Sequence, residues 1–256
     1  MRSLRSAAIS TIVSRMYARV SALNTVVTRF LIPRGMLTTI LPPAVSAPTN
    51  APPSEELTKA LAKENLILLY TSPWPAQDLY TNKDVKGLTD LKGMKMRSYS
   101  PTTSRLADLM GTTPVNIPFS DVAQAFTTNA IDAMITSPST GVNGQSWDYI
   151  SHFTTIHAWI PKNMVFANKR LFDRLDENTQ QVILTAAANA EKKGWALGRK
   201  LAVEHTDTLA KNGMKVGEPS AQLINELEAI GSTMVNEWVS EAGDSGRAVL
   251  NAYQQL

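Results

Sequence analysis

The sequence contains no cysteine, so disulfides, thiolate zinc sites and cysteine nucleophiles are excluded together. It also lacks a long apolar run. The longest, Leu66–Tyr70 and the interrupted stretch Ile160–Ala167, fall far short of the roughly 18 to 20 residues that a membrane-crossing helix needs. Histidine is scarce, and His152 and His157 are not spaced to share one helical face or a zinc-protease pattern. They read as surface or strand histidines. Asp148 beside Trp147 and Glu204 beside His205 read as isolated charges. No G-x-G-x-x-G, P-loop or G-x-S-x-G is present, so no catalytic residue, cofactor or metal is expected and the chain is not read as an enzyme.

Acidic residues are missing before Glu55, where six arginines stand (Arg2, Arg5, Arg15, Arg19, Arg29 and Arg34). They exceed the whole net charge of +3, so the remainder carries about −3 and does not resemble a nucleic-acid groove. Residues 1–53 are basic and end in a proline-rich stretch through Pro52 and Pro53. Met36–Leu41 is too short for the apolar region of a secretory signal before the small residues Val45-Ser46-Ala47. This part is expected to be either a targeting segment or a mis-assigned start. Residues 54–256 are the expected folded region.

The chain as a whole is 43% hydrophobic and 18% charged, the balance of a globular protein with one or two domains. A helix is expected from the Ser54 cap through Leu57, Ala60 and Leu61. Leu66–Tyr70 has the continuous apolar character of a strand buried on both faces of a parallel sheet. Met94–Tyr99 alternates as a strand, Pro101–Met110 reads as a helix stopped by Gly111, and Pro114–Ile117 reads as a strand. Ser120 is placed to cap a helix over Asp121–Thr128, followed by a strand at Ile131–Ile135. Strands and helices thus alternate, predicting an α/β fold with a largely parallel sheet. Asp176–Asn212 contains no proline and predicts one long helix, or two with a kink, weakened at Gly194 and Gly198. A small strand at Met214–Val216 and two helices, Ser220–Glu241 and Asp244–Gln255, complete the chain.

Arg97 stands out because it lies near the end of a predicted core strand. Ligands of α/β sheets gather at the carboxyl ends of strands, and a guanidinium there can hold a carboxylate through two parallel hydrogen bonds. From the residues alone, a salt bridge to a neighbour or an escape to solvent stays open. Thr136, Ser137 and Thr140 follow another strand and could offer hydroxyls to a polar ligand. Trp74 sits in a Pro-bounded loop; Trp159, Tyr99 and Asn163 are further pocket candidates, each aromatic being readable as packing as well.

The phrase Asp90-Leu91-Lys92-Gly93-Met94-Lys95-Met96-Arg97 resembles the D-L-K-G-x-K-x-R phrase of solute-binding proteins of tripartite ATP-independent periplasmic (TRAP) transporters, the DctP-like family. Gly111-Thr112-Thr113-Pro114-Val115 is similar to the family's G-A-x-P-V. Pro118–Ala125 resembles P-F-S-E-V-x-x-A, and Thr128–Ala133 resembles T-G-x-V-D-G. The resemblance implies a two-lobed, periplasmic-binding-protein type of α/β fold with a long C-terminal spanning helix. It implies capture of a small organic carboxylate in the periplasm and delivery to TRAP membrane subunits, with homodimer formation left open. The family's carboxylate-binding arginine falls on Arg97 and its aromatic pocket position on Phe119. Where the family often has Q-E-N-P, Thr136 replaces the amide-bearing residue, which puts a sugar-acid ligand in doubt. The family's first strands and helices have no counterpart in residues 1–50, so the N-terminal lobe is expected to be incomplete. The alternative readings are a truncated, ligand-free interaction module and an α/β enzyme acting on a carboxylate.

Overall fold

The computed structural model describes residues 55–254, and the expected leader and the Ser54 cap lie outside that range. Helix α1 (Glu55–Lys63) leads into strand β1 (Leu66–Pro73), and buried Leu61 packs with Leu66, Leu68 and Met164. Strand β1 pairs antiparallel with β7 (Lys162–Asn168), forming a two-stranded ribbon with a bulge between Leu68 and Tyr70. This corrects the expectation of a parallel strand buried on both faces. β1 is only half-buried along its whole length. An apolar run reports that a segment packs, but not which distant segment pairs with it.

The larger sheet has six strands in the order β4 (Thr113–Asn116), β3 (Lys95–Ser98), β5 (Ala133–Thr136), β2 (Asp78–Thr81), β6 (His152–Thr154), β8 (Lys215–Gly217). Here too the parallel expectation needs correction. β3 runs parallel to β4 and β5, and β6 to β8, but β2 is inserted antiparallel to both β5 and β6. β2 has only four residues, all buried, and lacks the turn-bounded apolar run that would mark it.

Local chemistry explains why these elements start and stop. Ser100 caps α2 (Pro101–Leu109): its hydroxyl accepts from the Thr103 N–H, and the Thr103 hydroxyl accepts in turn from the Ser100 N–H. Pro101 occupies the first turn, where a missing N–H costs nothing. Gly111 then turns the chain with φ +72°, a left-handed conformation that glycine adopts without a Cβ penalty. Ser120 does not cap the next helix. It lies in a 3-10 turn, Phe119–Asp121, and bonds Asp121, so α3 is confined to Val122–Thr127.

Side chains alternate between two cores, as a period of two requires. Leu79, Ala133, Ile135 and Met96 face a cluster with Leu106, Ala107 and Met110 of α2 and Leu223, Ile230 and Met234 of α7 (Ala221–Gln254). Tyr80 and Met134 face the other cluster, with Val122, Phe126, Ile150, Phe153 and Leu209. The break expected after Glu241 falls at Gly243, where φ 63° and ψ −139° kink α7.

α4 (Pro138–Asn143) and the four-residue α5 (Lys169–Phe172) precede the longest element, α6 (Glu177–Lys211). Asp176 caps α6 through the Thr179 N–H at 2.9 Å. Its 35 residues span about 50 Å. It runs unbroken through Gly194 and Gly198. They are seats: a methyl at either would lie 3.0 Å from the Ser72 hydroxyl or 3.2 Å from the Pro73 ring. Glu191, one turn earlier, accepts from the Thr71 N–H and hydroxyl. Further along, His205 meets Ser139 of α4 at 2.8 Å and Leu209 enters the core of the six-stranded sheet. α6 therefore bridges the ribbon and the larger sheet.

Candidate ligand-binding site

The four phrases singled out in the sequence converge around β3. Most of their polar residues hold the scaffold. Asp90 accepts the Lys86 and Gly87 N–H groups, Gly93 adopts φ +78°, and the Asp132 carboxylate accepts the Lys95 N–H at 2.8 Å, tying β3 to the start of β5. Arg97 is different. It is 6% exposed, and its Nε–H donates to the Ile117 carbonyl at 2.9 Å. The other four guanidinium N–H groups have no protein acceptor among the described residues, and no carboxylate pairs with it there. By contrast, Arg105 is paired with Glu237 and Arg247 with Asp244, both at the surface. Burial pulls the Arg97 pKa down, opposed by the nearby Tyr99 and Tyr149 hydroxyls. The group nonetheless stays charged.

Aromatic rings surround this cation. The Tyr99 ring centroid lies 5.0 Å from the guanidinium carbon. Its hydroxyl donates to Gln77 Oε1 at 3.3 Å and interacts with the Trp159 side chain. Burial of that hydroxyl end pushes its pKa up to about 12, although the ring edge leaves the residue 39% exposed. Tyr149 stacks on Phe126 with centroids 5.3 Å apart, and its hydroxyl meets Ser146. Phe119, half-exposed, lies beside Tyr149 at Gly144, where a methyl would touch both rings. A small pocket is lined by Arg97, Trp159, Met96, Thr103, Leu106, Ala107 and Ile135. It excludes Tyr99, Phe119 and Thr136, so it marks one wall of the site rather than its extent.

The remaining expected residues divide clearly. Thr136 ends β5 one strand from Arg97, is 4% exposed, and its hydroxyl has no protein partner among the described residues. Ser137 is fully buried and its hydroxyl is already engaged: it caps α4 by accepting the Thr140 N–H, and it shares a hydrogen bond with the Thr140 hydroxyl. Trp74 is 38% exposed just beyond β1, with its backbone N–H on the Pro161 carbonyl. Asn163 is exposed on β7 opposite Ser72, and among the described residues no contact joins it to the Arg97 group.

Three residues of this region escaped the sequence reading. Gln77 is 4% exposed and exchanges backbone hydrogen bonds with Trp159 and Ala158, thereby holding the Tyr99 and Trp159 walls together. Asp78 is 2% exposed and accepts from the His157 N–H at 2.8 Å and from its Nδ1 at 3.1 Å. Tyr149 is the third. The Gln77-Asp78 pair, one residue after Pro73-Trp74-Pro75, was the available signal for the first two.

Residues 45–241 match the family described as bacterial extracellular solute-binding protein, family 7 (DctP). The chain belongs to this family. Two solute receptors of Bordetella pertussis that bind pyroglutamic acid, DctP7 and DctP6, have the same architecture. They are 48% and 40% identical, cover 78% of this chain each, and superpose with TM-scores of 0.75 and 0.76. A TRAP solute-binding protein from a marine metagenome, solved with co-purified pyroglutamate, is 33% identical over 79% of this chain, with a TM-score of 0.74. The fold is thus the two-lobed TRAP receptor type. The match extends over 66%, 67% and 66% of those three chains, and over 53% and 42% of two curated solute-binding relatives.

Proposed function

We propose that this chain captures a small organic carboxylate in the periplasm and passes it to the membrane subunits of a TRAP transporter, with pyroglutamate as its ligand class. One observation carries the reading: a buried guanidinium at a strand end, held by Ile117 through one donor and without an acid partner among the described residues. An isolated buried cation is costly, and a ligand carboxylate accepting two parallel N–H bonds would remove that cost on binding. Tyr99, Trp159 and Phe119 supply apolar walls, and the Thr136 hydroxyl supplies a polar contact. Membership of a solute-binding family and the pyroglutamate bound by the three receptors support the same assignment.

The test is isothermal titration of the full chain with L-pyroglutamate, malonate and a hexuronate. Saturable binding of pyroglutamate, lost in Arg97→Ala, is expected. Lack of pyroglutamate binding, or full affinity in Arg97→Ala, would refute the assignment. An enzyme reading requires turnover of the acid, and none is expected.

A further inference from the structure

We propose that Asp78 sets the specificity of this site by accepting a hydrogen bond from an N–H on the ligand, which selects a lactam acid over acids that lack that donor. This inference rests on the carboxylate-capture reading and adds the second pole of the site.

Register places Asp78 there. Arg97 is aligned with Met134 in the parallel β3–β5 pair, and Thr136 is directly opposite Asp78 in the antiparallel β5–β2 pair. Alternation therefore puts Arg97, Met134, Thr136 and Asp78 on one face of the sheet, the face of the Tyr80 and Met134 cluster. Two strand spacings and two residues of offset separate Asp78 from Arg97 by roughly 12 Å between Cα atoms. That separation carries no direct ion pair among the described residues. It leaves room for a small molecule between a cation and an anion, with the Thr136 hydroxyl between them.

The Asp78 carboxylate is oriented but not saturated. His157 donates twice, from its backbone and from its ring, and both bonds go to Oδ1. Oδ2 accepts nothing among the described residues, although the side chain is 2% exposed. A buried carboxylate oxygen without a donor is unusual and implies a donor that arrives with something else. His157 holds φ +47°, a left-handed conformation that a non-glycine residue keeps only when its surroundings fix it. The Thr136 hydroxyl, also buried and unpartnered among the described residues, can serve either pole.

Such a site discriminates by chemistry. A ligand must carry one carboxylate for Arg97 and, beside it, a hydrogen-bond donor for Asp78. A 5-membered lactam acid has its ring N–H next to the carbon that bears the carboxylate. The matching lactone presents a ring oxygen lone pair to Asp78, and a dicarboxylate presents a second negative charge. Both arrangements are repulsive.

The experiment compares L-pyroglutamate with its ring-oxygen analogue, 5-oxotetrahydrofuran-2-carboxylate, by titration into the unmodified full chain and into Asp78→Asn. The unmodified chain is expected to prefer the lactam by about tenfold or more, since the lost bond involves a charged acceptor. Asp78→Asn is expected to bring the two ligands to within about threefold of each other. Equal binding of lactam and lactone by the unmodified chain overturns the Asp78 assignment alone, and this comparison needs no variant to fold. Retained preference in Asp78→Asn also overturns it. Binding of neither acid overturns the capture reading and this assignment with it.

Discussion

Replacing Arg97 with lysine keeps the positive charge and removes the fork. In the native site the Nε–H holds the Ile117 carbonyl at 2.9 Å while four N–H groups stay available. A lysine ammonium is a single point on a flexible stem, so it cannot keep Ile117 and also meet both oxygens of a carboxylate. The loss of one charge-assisted hydrogen bond is worth about 1.5–3 kcal/mol, or roughly a 10- to 150-fold rise in Kd. Arg97→Ala removes both bonds and should cost about 2–5 kcal/mol of binding.

The ligand-free protein should respond in the opposite sense. A guanidinium that is 6% exposed and lacks a counter-charge among the described residues is itself destabilising. Arg97→Met should therefore melt no lower than the parent while losing the ligand. Titration calorimetry with pyroglutamate, paired with thermal melts in its absence, measures both effects. The reasoning is refuted if Arg97→Lys binds within about threefold of the parent. It is equally refuted if Arg97→Met melts far below the parent, since Arg97 would then be a structural residue.

Thr136→Val removes a buried hydroxyl with no protein partner among the described residues. Its apo stability should be unchanged or slightly higher, and pyroglutamate affinity should fall by about 1 kcal/mol; a clear loss of apo stability with unchanged affinity would argue for a structural hydroxyl. Gly141→Ala drives a methyl onto the Tyr80 hydroxyl, which is fully buried and donates to the Ser137 carbonyl at 3.0 Å. Urea unfolding should show about 1–3 kcal/mol of destabilisation, and an unmoved midpoint would contradict the packing described. The His157 pKa is raised, chiefly by its hydrogen bond to Asp78, and the Asp78 pKa is raised because burial outweighs the help of His157. Both groups hold protons more tightly folded than unfolded, so each contributes stability that is fully present below its unfolded pKa and is lost as pH rises through its own folded one, Asp78 in the acidic range and His157 above its ordinary value. As pH rises above the ordinary histidine value of about 6.5, the melting temperature should fall more steeply in the parent than in His157→Gln, and parallel pH profiles would remove His157 from the account.

How far the sequence revealed this molecule depends on the range of the interactions involved. β3, α2, β4 and β5 were legible because each has its own alternation, cap or stop, as at Ser100 and Gly111. α6 and the break near Gly243 were legible from helix chemistry alone. β2, β6 and β7 were not, being short or half-buried and defined by partners far along the chain. The site divides in the same way. Arg97 was visible as a charge where a strand should be apolar. Asp78 became part of the same face only through the antiparallel insertion of β2, which no local pattern encodes. Ser137 and Thr140 looked like free hydroxyls because α4, which Ser137 caps and Thr140 joins, was not evident in the polar run that forms it.

The β1–β7 ribbon joins segments about a hundred residues apart, whereas β3, β4 and β5 close over much shorter loops. Long-range closure comes at a large entropic cost that only later contacts offset. The ribbon should consequently be the last part of the chain to fold and the first to exchange its amide protons, packed on Leu61 of α1 and clamped by α6 through Glu191, Gly194 and Gly198. The order in which the protein assembles is thus written into a single pairing, and the glycine seats on α6 are the latch that completes it.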